Sequence, residues 1–315
     1  MPETFDHVPI RFNKVLLTTD FSTFSAKALP YAAEMARHFG SMLYVAHVIP
    51  MEAYAHIPAG ERETELAKMK QKARKEISAL LSGSNLAGLP YKILLVHGDV
   101  LPQLSQLAEK YDIDLMVTGT RGKHGLSKLF SGSMAEEIFR LARLPVLAVG
   151  PEVITPPQAE EHLARILCIA EFSHESRRAM RYAYALAKAY SARLAFLHVV
   201  DDVWKEPIST RLSADAFFRL ELMVNRLPER EPGIQAEFLV EFGPKEETIL
   251  RMAEKQKAQL LVVTVPGTEH PLLSVHLPGP LAYNLVSHAR CPVFGVRGKA
   301  AGADAKDAGS QLAAG

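Results

Sequence analysis

The chain has 315 residues, of which 48% are apolar, and a formal net charge of +1 from 36 basic and 35 acidic side chains. This length favours two domains, and the apolar content excludes a disordered chain. The balanced charge gives no general attraction for nucleic acid or for a membrane surface, so neither is predicted as a partner.

The first half of the sequence alternates short apolar runs with segments of helical periodicity. The runs are rich in Val, Leu and Ile, which is typical of strands buried on both faces of a parallel sheet. Strands are predicted near residues 13–19, 42–49, 91–96, 114–119 and 145–150.

Helices are predicted between these strands. The first begins near Ser22 or Ser25 and ends at Gly40, and Asp99 is placed to cap the helix after the third strand. The helix from Glu61 to Leu81 shows the clearest amphipathic pattern. Its apolar stripe consists of Leu66, Met69, Ala73, Ile77 and Leu80.

The second half of the chain repeats the first. Residues 14–22 match residues 165–173, and Tyr44–Val48 matches Ala195–Val199, both at an offset of 151. The later strands match at offsets of 145 to 147, with Val117 set on Val263 in the fourth strand. Since the offset stays nearly constant over five strands, the chain is predicted to contain two copies of one fold.

Each copy is predicted to be an α/β domain with a doubly wound, open, parallel sheet of five strands in the order 3-2-1-4-5. The first domain is expected over residues 10–150 and the second over residues 164–298. Residues 151–163 contain Pro151, Pro156 and Pro157 and are interpreted as a linker. The tail over residues 299–315 has no apolar period and is predicted to be disordered.

The most informative motif follows the fourth strand. Gly119-Thr120-Arg121-Gly122 leads into a loop, and Gly132-Ser133 follows at the entrance of a helix. Glycine lets backbone approach a phosphate closely, and a helix start offers unpaired N–H groups and the positive end of its dipole. In the predicted strand order Asp20 and Gly119 meet at the switch point where ligands bind. The motif predicts a phosphate cradle, with ordinary turn chemistry as the alternative.

Taken together, these features resemble a tandem member of the universal stress protein family over roughly residues 10–298. The nucleotide-binding members of that family carry Gly, two residues, Gly, nine residues, Gly, and then Ser or Thr. This chain matches that pattern with Gly119, Gly122, Gly132 and Ser133. Residues 19–22, the pair His47-Val48 and residues 144–146 match as well. The resemblance implies an adenine nucleotide alpha hydrolase-like fold and ATP, with or without Mg²⁺, as the ligand.

The resemblance also implies which residues contact the nucleotide. Asp20 would accept a hydrogen bond from the adenine amino group or a ribose hydroxyl, and the loop glycines would wrap the ribose and phosphates. Two alternatives stay open: Asp20 as a cap of the first helix, and Arg121 as a solvated surface cation. The predicted nucleotide-binding residues are Thr18, Asp20, Val48, Gly119, Arg121, Gly122, Gly132, Ser133 and Met134.

The second copy departs from this pattern. Aligned on its flanks, it has Val265 in place of Gly119, Thr268 in place of Gly122, Pro280 in place of Ser133 and Glu171 in place of Asp20. We therefore expect it not to bind ATP in the same manner, which leaves packing, pairing with the first copy, or an unknown second ligand as its role. The histidines at positions 47 and 198 match each other in the two copies, which favours a structural role for both.

Three functions agree with these observations: an ATP-binding regulatory protein of the stress response with slow or no hydrolysis, an ATPase or phosphotransferase, and an interaction protein without nucleotide. The sequence has no Gly-x-x-x-x-Gly-Lys-Ser/Thr loop, so the glycine motif accounts for holding ATP and not for cleaving it. The first function is favoured. No catalytic residue and no metal site is predicted.

Location and assembly follow from weaker signals. The two cysteines form no disulfide framework, and no signal peptide or bilayer-spanning run is found, so a cytoplasmic protein is expected. The fifth strands, at 145–150 and 292–297, are predicted sheet edges, and edges invite pairing. The resemblance implies that these strands pair between domains as an intramolecular pseudo-dimer, and a homodimer beyond it is a further option.

Overall fold

The computed structural model of the chain describes residues 10–82, 86–120, 138, 144–154, 163–200, 208–227, 234, 236–265 and 281–297. Two compact units are present, one built mainly from Ile10–His162 and the other mainly from Leu163–Leu285 and the residues from Phe294 onward. We call them the first and the second unit.

The first unit alternates strands and helices as the sequence predicts. Its described elements are β1 (Lys14–Thr18), α1 (Thr23–Phe39), β2 (Met42–Ile49), a 3-10 turn (Met51–Ala53), α2 (Ala59–Ser82), β3 (Tyr91–His97), α3 (Val100–Lys110), β4 (Leu115–Gly119) and β5 (Val146–Val149). The strand order is β3-β2-β1-β4-β5, and the four neighbouring pairs are parallel. The predicted order 3-2-1-4-5 is confirmed.

The second unit repeats this arrangement. Its described elements are β6 (Arg165–Ile169), α4 (His174–Tyr190), β7 (Arg193–Val200), α5 (Ile208–Asn225), β8 (Ala236–Phe242), α6 (Lys245–Lys255), β9 (Leu260–Val265), α7 (Leu281–His288) and β10 (Val293–Arg297). The strand order is β8-β7-β6-β9-β10, which is again 3-2-1-4-5 within the copy. No helix in the described part of the chain is long and apolar enough to span a bilayer.

Helix α1 has the ends that the sequence predicts. The hydroxyl of Ser22 accepts a hydrogen bond from the backbone N–H of Ser25 at 3.1 Å, which satisfies one of the unpaired donors of the first turn. Gly40 ends the helix with a φ of 65°, a left-handed conformation that glycine adopts without steric cost. In α3 the cap position is Asp99, as predicted, but its side chain makes no capping hydrogen bond.

The core lies between the sheet of each unit and the helices that cover it. Val15, Leu16 and Leu17 of β1 are fully buried, which fits a central strand covered on both faces. Helix α2 buries Leu66, Ala73 and Ile77 of the predicted stripe. Met69 and Leu80 are half-buried, and Leu81 is buried at the end of the helix.

Strand register is fixed at the amino edge of each sheet. The carboxylate of Asp114 accepts hydrogen bonds from the N–H groups of Asn13 and Lys14, at 2.8 and 2.9 Å, which ties the start of β4 to the start of β1. In the second unit the side-chain oxygen of Gln259 accepts from Ala164 and Arg165 at 2.7 and 3.2 Å. Asp114 and Gln259 are therefore equivalent residues, at an offset of 145.

This register corrects the alignment of the fourth strands. Leu115 lies opposite Val15 in the first unit, and Leu260 lies opposite Ile166 in the second. The residue equivalent to Gly119 is thus Thr264, and Val265 is equivalent to Thr120. The alignment that set Val117 on Val263 was wrong by one residue, because sequence similarity between two apolar runs does not define which residues face each other.

Candidate functional site

The carboxyl ends of β1 and β4 lie side by side in the first unit. Thr18 is the register partner of Thr118, and the Thr18 hydroxyl donates to the Thr118 hydroxyl at 3.0 Å. Asp20 follows β1 and Gly119 ends β4, so both lie at this edge of the sheet. The chain therefore brings Thr18, Asp20 and Gly119 together at the switch point of the strand order, where open α/β sheets bind ligands.

Asp20 is exposed at this edge and does not cap the first helix. Its side-chain oxygen accepts a hydrogen bond from the N–H of Ser22 at 3.0 Å, whereas the cap of α1 is Ser22 itself. The alternative in which Asp20 caps α1 is wrong. One carboxylate of the site is thus oriented by the turn between β1 and α1, with its side chain open to solvent.

Val48 lies near the end of β2, on the other side of β1. Its side chain is buried, with 8% of its surface exposed, and it faces Val96 of β3 in the sheet register. The structure places it at the same edge as Asp20. A contact between its backbone and adenine stays a prediction.

In both units a histidine contacts the turn that follows the first strand. In the first unit the carbonyl of Thr19 accepts a hydrogen bond from Nδ1 of His47 at 2.8 Å, and the ring of Phe21 lies 4.3 Å from the imidazole, centre to centre. The second unit repeats both contacts, with 2.8 Å from Nδ1 of His198 to the carbonyl of Ala170 and 4.1 Å between the rings of Phe172 and His198. This repetition supports the predicted structural role of the two histidines.

Gly119 is required by packing against helix α1. A Cβ at this position would lie 2.0 Å from the carbonyl oxygen of Phe24 and 2.7 Å from the Cα of Ser25, both backbone atoms of the first turn of α1. The glycine thus lets the helix start cross directly over the strand end. Sequence reasoning missed this role, because the spacing of glycines carries no information on which backbone lies above them.

Thr120 is a candidate that sequence reasoning did not assign. It is 3% exposed, its N–H donates to the carbonyl of Val149 at 3.0 Å, and its buried hydroxyl has no hydrogen-bond partner among the residues that the structure describes. Buried hydroxyls are nearly always paired, so this hydroxyl, directly before the glycine loop, is a candidate polar contact of the site. Its position within Gly119-Thr120-Arg121-Gly122 was the available signal.

The remaining predicted site residues lie outside the described residues. They are Arg121, Gly122, Gly132, Ser133 and Met134. Their assignment to the phosphates stays a prediction, as does the effect of Pro280 in the second copy. The offset of 145 puts Gly267, and not Thr268, at the position of Gly122 in the sequence.

The second unit contains a cavity of about 350 Å³ at the equivalent edge, which is within the range of small-molecule pockets. Four of its lining residues correspond to residues of the predicted nucleotide site. Ile169, Glu171 and Val199 match Thr18, Asp20 and Val48, and Leu281 matches Met134 at the offset of the fifth strands. The lining residues are Ile169, Ala170, Glu171, Phe172, Ser173, His198, Val199, Lys245, Ile249 and Leu281.

The polar part of this cavity differs from the first unit. The ammonium of Lys245 lies 3.3 Å from the carboxylate of Glu171, and the two side chains are 41% and 45% exposed. Lys245 is the first residue of α6, where a cation opposes the helix dipole by about 0.3–1 kcal/mol. The equivalent residue in the first unit is Val100. The sequence analysis assigned Lys245 no role, and its position directly after Gly243-Pro244 was the available signal.

His198 lies at the wall of the cavity and has a lowered pKa. Burial lowers the pKa of His198, and Lys245 and Arg219 lower it further, while the hydrogen bond to Ala170 and the charge of Glu171 oppose the shift. Because a carbonyl only accepts, the proton sits on Nδ1, and Nε2 is left as a hydrogen-bond acceptor. Among the residues that the structure describes, no group of three or more His, Cys, Asp or Glu side chains is placed to hold a metal ion.

Comparison with known proteins gives matches for both halves of the chain. The sequence model of the universal stress protein family matches residues 11–150 and again residues 162–297. A universal stress protein of Methanocaldococcus jannaschii is 28% identical over 139 residues, which are 44% of this chain and 82% of that protein. The universal stress protein A homolog 1 of Coxiella burnetii is 33% identical over 145 residues, 44% of this chain and 97% of that protein.

A solved structure resembles nearly the whole chain. The crystal structure of a universal stress protein from Archaeoglobus fulgidus has a TM-score of 0.68, covers 90% of this chain and 98% of its own, and is 20% identical. At this identity the likeness shows the fold alone.

Proposed function

Because the chain belongs to the universal stress protein family, with its domain present twice, we propose that it is an ATP-binding regulatory protein of the stress response. The first unit holds the nucleotide and hydrolyses it slowly or not at all. The observation that carries the proposal is the juxtaposition of Thr18, Asp20 and Gly119 at one edge, directly before the glycine loop.

Two further observations support an adenine nucleotide at this edge. The unpaired buried hydroxyl of Thr120 fits a site that is completed by a polar ligand. In the second unit the residues equivalent to Thr18, Asp20 and Val48 line a cavity, which supports the same positions as the ligand wall of the first unit.

The residues divide into an adenosine part and a phosphate part. Asp20, exposed and held by the N–H of Ser22, presents a carboxylate that accepts hydrogen bonds from an amino group or a ribose hydroxyl. The backbone of Gly122, Gly132 and Ser133 supplies the N–H groups for the phosphates, and Arg121 supplies positive charge. If Mg²⁺ accompanies ATP, it neutralises phosphate charge.

Slow hydrolysis follows from what the loop supplies. Fast phosphoryl transfer needs a residue that orients the nucleophile and cations fixed on the transferred phosphate. The glycine loop offers backbone donors, and no Gly-x-x-x-x-Gly-Lys-Ser/Thr sequence is present to add a buried lysine. The site therefore retains ATP as a signal, which suits a regulatory protein in the cytoplasm.

Equilibrium dialysis of the full chain with ATP tests the proposal. We expect one ATP per chain, and we expect Gly122→Val to abolish binding while the thermal unfolding of the protein is unchanged. Gly60→Ala serves as the control, because the space around Gly60 is open and its helix is remote in sequence from the loop. Unchanged affinity in Gly122→Val, or two equivalent ATP molecules per chain, would show that the assignment is wrong.

The mode of action is tested on protein purified without added ligand. Mass spectrometry is expected to find ATP still bound, which requires slow turnover. Release of ADP at several molecules per second would identify an enzyme instead, and failure to bind any nucleotide would favour an interaction protein.

A further inference from the structure

We propose that the outward face of helix α5 is a contact surface for a second copy of this chain, in which the two α5 helices pack antiparallel across a two-fold axis. The surface is formed by Phe217, Phe218 and Leu222, and we call it the α5 patch. It does not depend on the nucleotide site proposed for the first unit.

The α5 patch exposes large apolar side chains on one helix. The exposed fractions are 45% for Phe217, 62% for Phe218 and 39% for Leu222. Phe218 and Leu222 are four residues apart, so they are neighbours on the helix surface. Soluble chains rarely expose adjacent apolar side chains of this size, and aromatic residues are enriched at the centres of protein interfaces. The composition of the patch therefore indicates a protein partner.

The first unit shows that the fold does not need these side chains. Helix α2 follows the second strand of its copy, as α5 does in the second unit. The buried residues of the two helices share one spacing and align at an offset of 143, with Ala73, Ile77 and Leu81 matching Ala216, Leu220 and Val224. At this offset Phe217 and Phe218 stand where α2 has Arg74 and Lys75, which are exposed. The apolar face is thus a property of the second copy and not of the fold.

The contacts of α5 within the second unit hold the patch in place. The ring of Phe217 packs edge-on against that of Phe238 in β8, with 5.6 Å between the centres. The guanidinium of Arg219 lies 5.5 Å from the centre of the Phe172 ring and 3.1 Å from the carboxylate of Asp215. Because these contacts form without a partner, association has little further ordering to perform on this helix.

The charges beside the α5 patch favour antiparallel pairing of two identical helices. Asp215 lies one turn before Phe218 and Arg226 lies one turn after Leu222, on the same flank of the helix, and both are exposed. If Phe218 packs against Leu222 of the second copy, Asp215 meets Arg226 of the second copy, and the two-fold axis makes each contact twice. A parallel pair would instead set each charge against its own kind. Glu221 lies on the other flank near the axis, where the two carboxylates repel each other.

The expected dimer is weak and reversible. The net charge of +1 gives little repulsion between two copies of the chain. One pair of helices buries less than the roughly 1,200 Å² of total surface at which stable interfaces begin. The degree of association is therefore expected to change with protein concentration.

Sedimentation velocity of the full chain over roughly 1 to 100 µM tests this surface. The sedimentation coefficient of the original chain is expected to rise with concentration as dimers form. Phe218→Lys introduces the residue type that the first copy carries at this position. It is expected to weaken association about a hundredfold, because the side chain is lost twice in each dimer. Tyr91→Lys is the matched control, since it exchanges an exposed aromatic residue of β3 for the same cation, and it is expected to associate like the original chain.

A charge exchange tests the antiparallel arrangement. Arg226→Asp sets two carboxylates against each other in the proposed pair and is expected to weaken association about tenfold. Adding Asp215→Arg to that variant restores opposite charges and is expected to recover most of the loss. Circular dichroism melting of each variant checks that it is folded.

Three outcomes would overturn the proposal. They are an original chain that stays monomeric over this concentration range, a Phe218→Lys variant that associates as Tyr91→Lys does, and a double variant that associates no more strongly than Arg226→Asp alone.

Discussion

Substitution of Gly119 by alanine tests the contact between helix α1 and strand β4. A single methyl group is added, and its carbon would stand 2.0 Å from the carbonyl oxygen of Phe24 and 2.5 Å from the carbonyl carbon. Real Cβ atoms do not approach other atoms this closely, so the helix start or the strand end has to move.

The expected cost is large for one methyl group. Extra carbon atoms in a packed core destabilise by about 1–3 kcal/mol, and here the obstructing atoms are backbone, which cannot rotate away as a side chain does. We therefore expect a loss of about 3 kcal/mol in the free energy of unfolding. For a unit of roughly 150 residues this lowers the melting temperature by about 6–12 °C.

Differential scanning calorimetry measures this shift, with Gly60→Ala as the control. A Cβ at Gly60 meets nothing within 4 Å, and alanine favours the helix in which Gly60 lies, so that variant is expected to melt like the original chain or slightly above it. If Gly119→Ala melts within about 1 °C of Gly60→Ala, the close approach of α1 to β4 is not a feature of the folded protein.

Three further predictions concern stability. Ser22→Ala removes the cap of α1 and is expected to lower the free energy of unfolding by about 1 kcal/mol. Urea unfolding measures this loss, with Ser82→Ala at an exposed helix end as the control. An equal effect of the two substitutions would contradict the capping role of Ser22. Asp114→Ala leaves two backbone N–H groups without their acceptor and is expected to lower the free energy of unfolding by about 1–3 kcal/mol. An unchanged free energy of unfolding would show that the hydrogen bonds from Asp114 do not hold β1 and β4 in register. His198 has a lowered pKa in the folded chain, so the unfolded chain binds more protons, and the free energy of unfolding falls as the pH drops from about 6.5 toward the pKa of the folded chain. In urea titrations the free energy of unfolding of His198→Asn is expected to depend less on pH than that of the original chain. Identical pH profiles of the two proteins would refute this prediction.

The fold was predictable because the strands of each copy are short apolar runs in the sequence. Burial on both faces makes a parallel strand nearly continuous in Val, Leu and Ile. The nearly constant offset between the copies showed that the two halves share one fold. The ends of α1 were predictable for a local reason, since Ser22 and Gly40 act through their own backbone neighbours.

The parts that the sequence did not disclose depend on contacts between distant segments. Thr264, rather than Val265, stands in the place of Gly119, and this follows from the pairing of β6 with β9. The packing role of Gly119 depends on the position of Phe24, 95 residues earlier in the chain. The cavity of the second unit depends on Glu171 and Lys245, which lie 74 residues apart, and their proximity is visible only once the sheet is formed.

The hydrogen bonds that Asp114 and Gln259 accept at the starts of the strands have a consequence for which substitutions the chain tolerates. A slip of one residue in a strand turns its buried side chains to the wrong face, so alignment has to be secured somewhere. Both copies secure it at the end of the strands opposite to the ligand edge, about 16 Å away for a strand of five residues. Substitutions at the ligand edge, such as Lys245 at the position equivalent to Val100, therefore leave the strand register unchanged. Each copy can change the residues of its ligand edge while both keep the same fold.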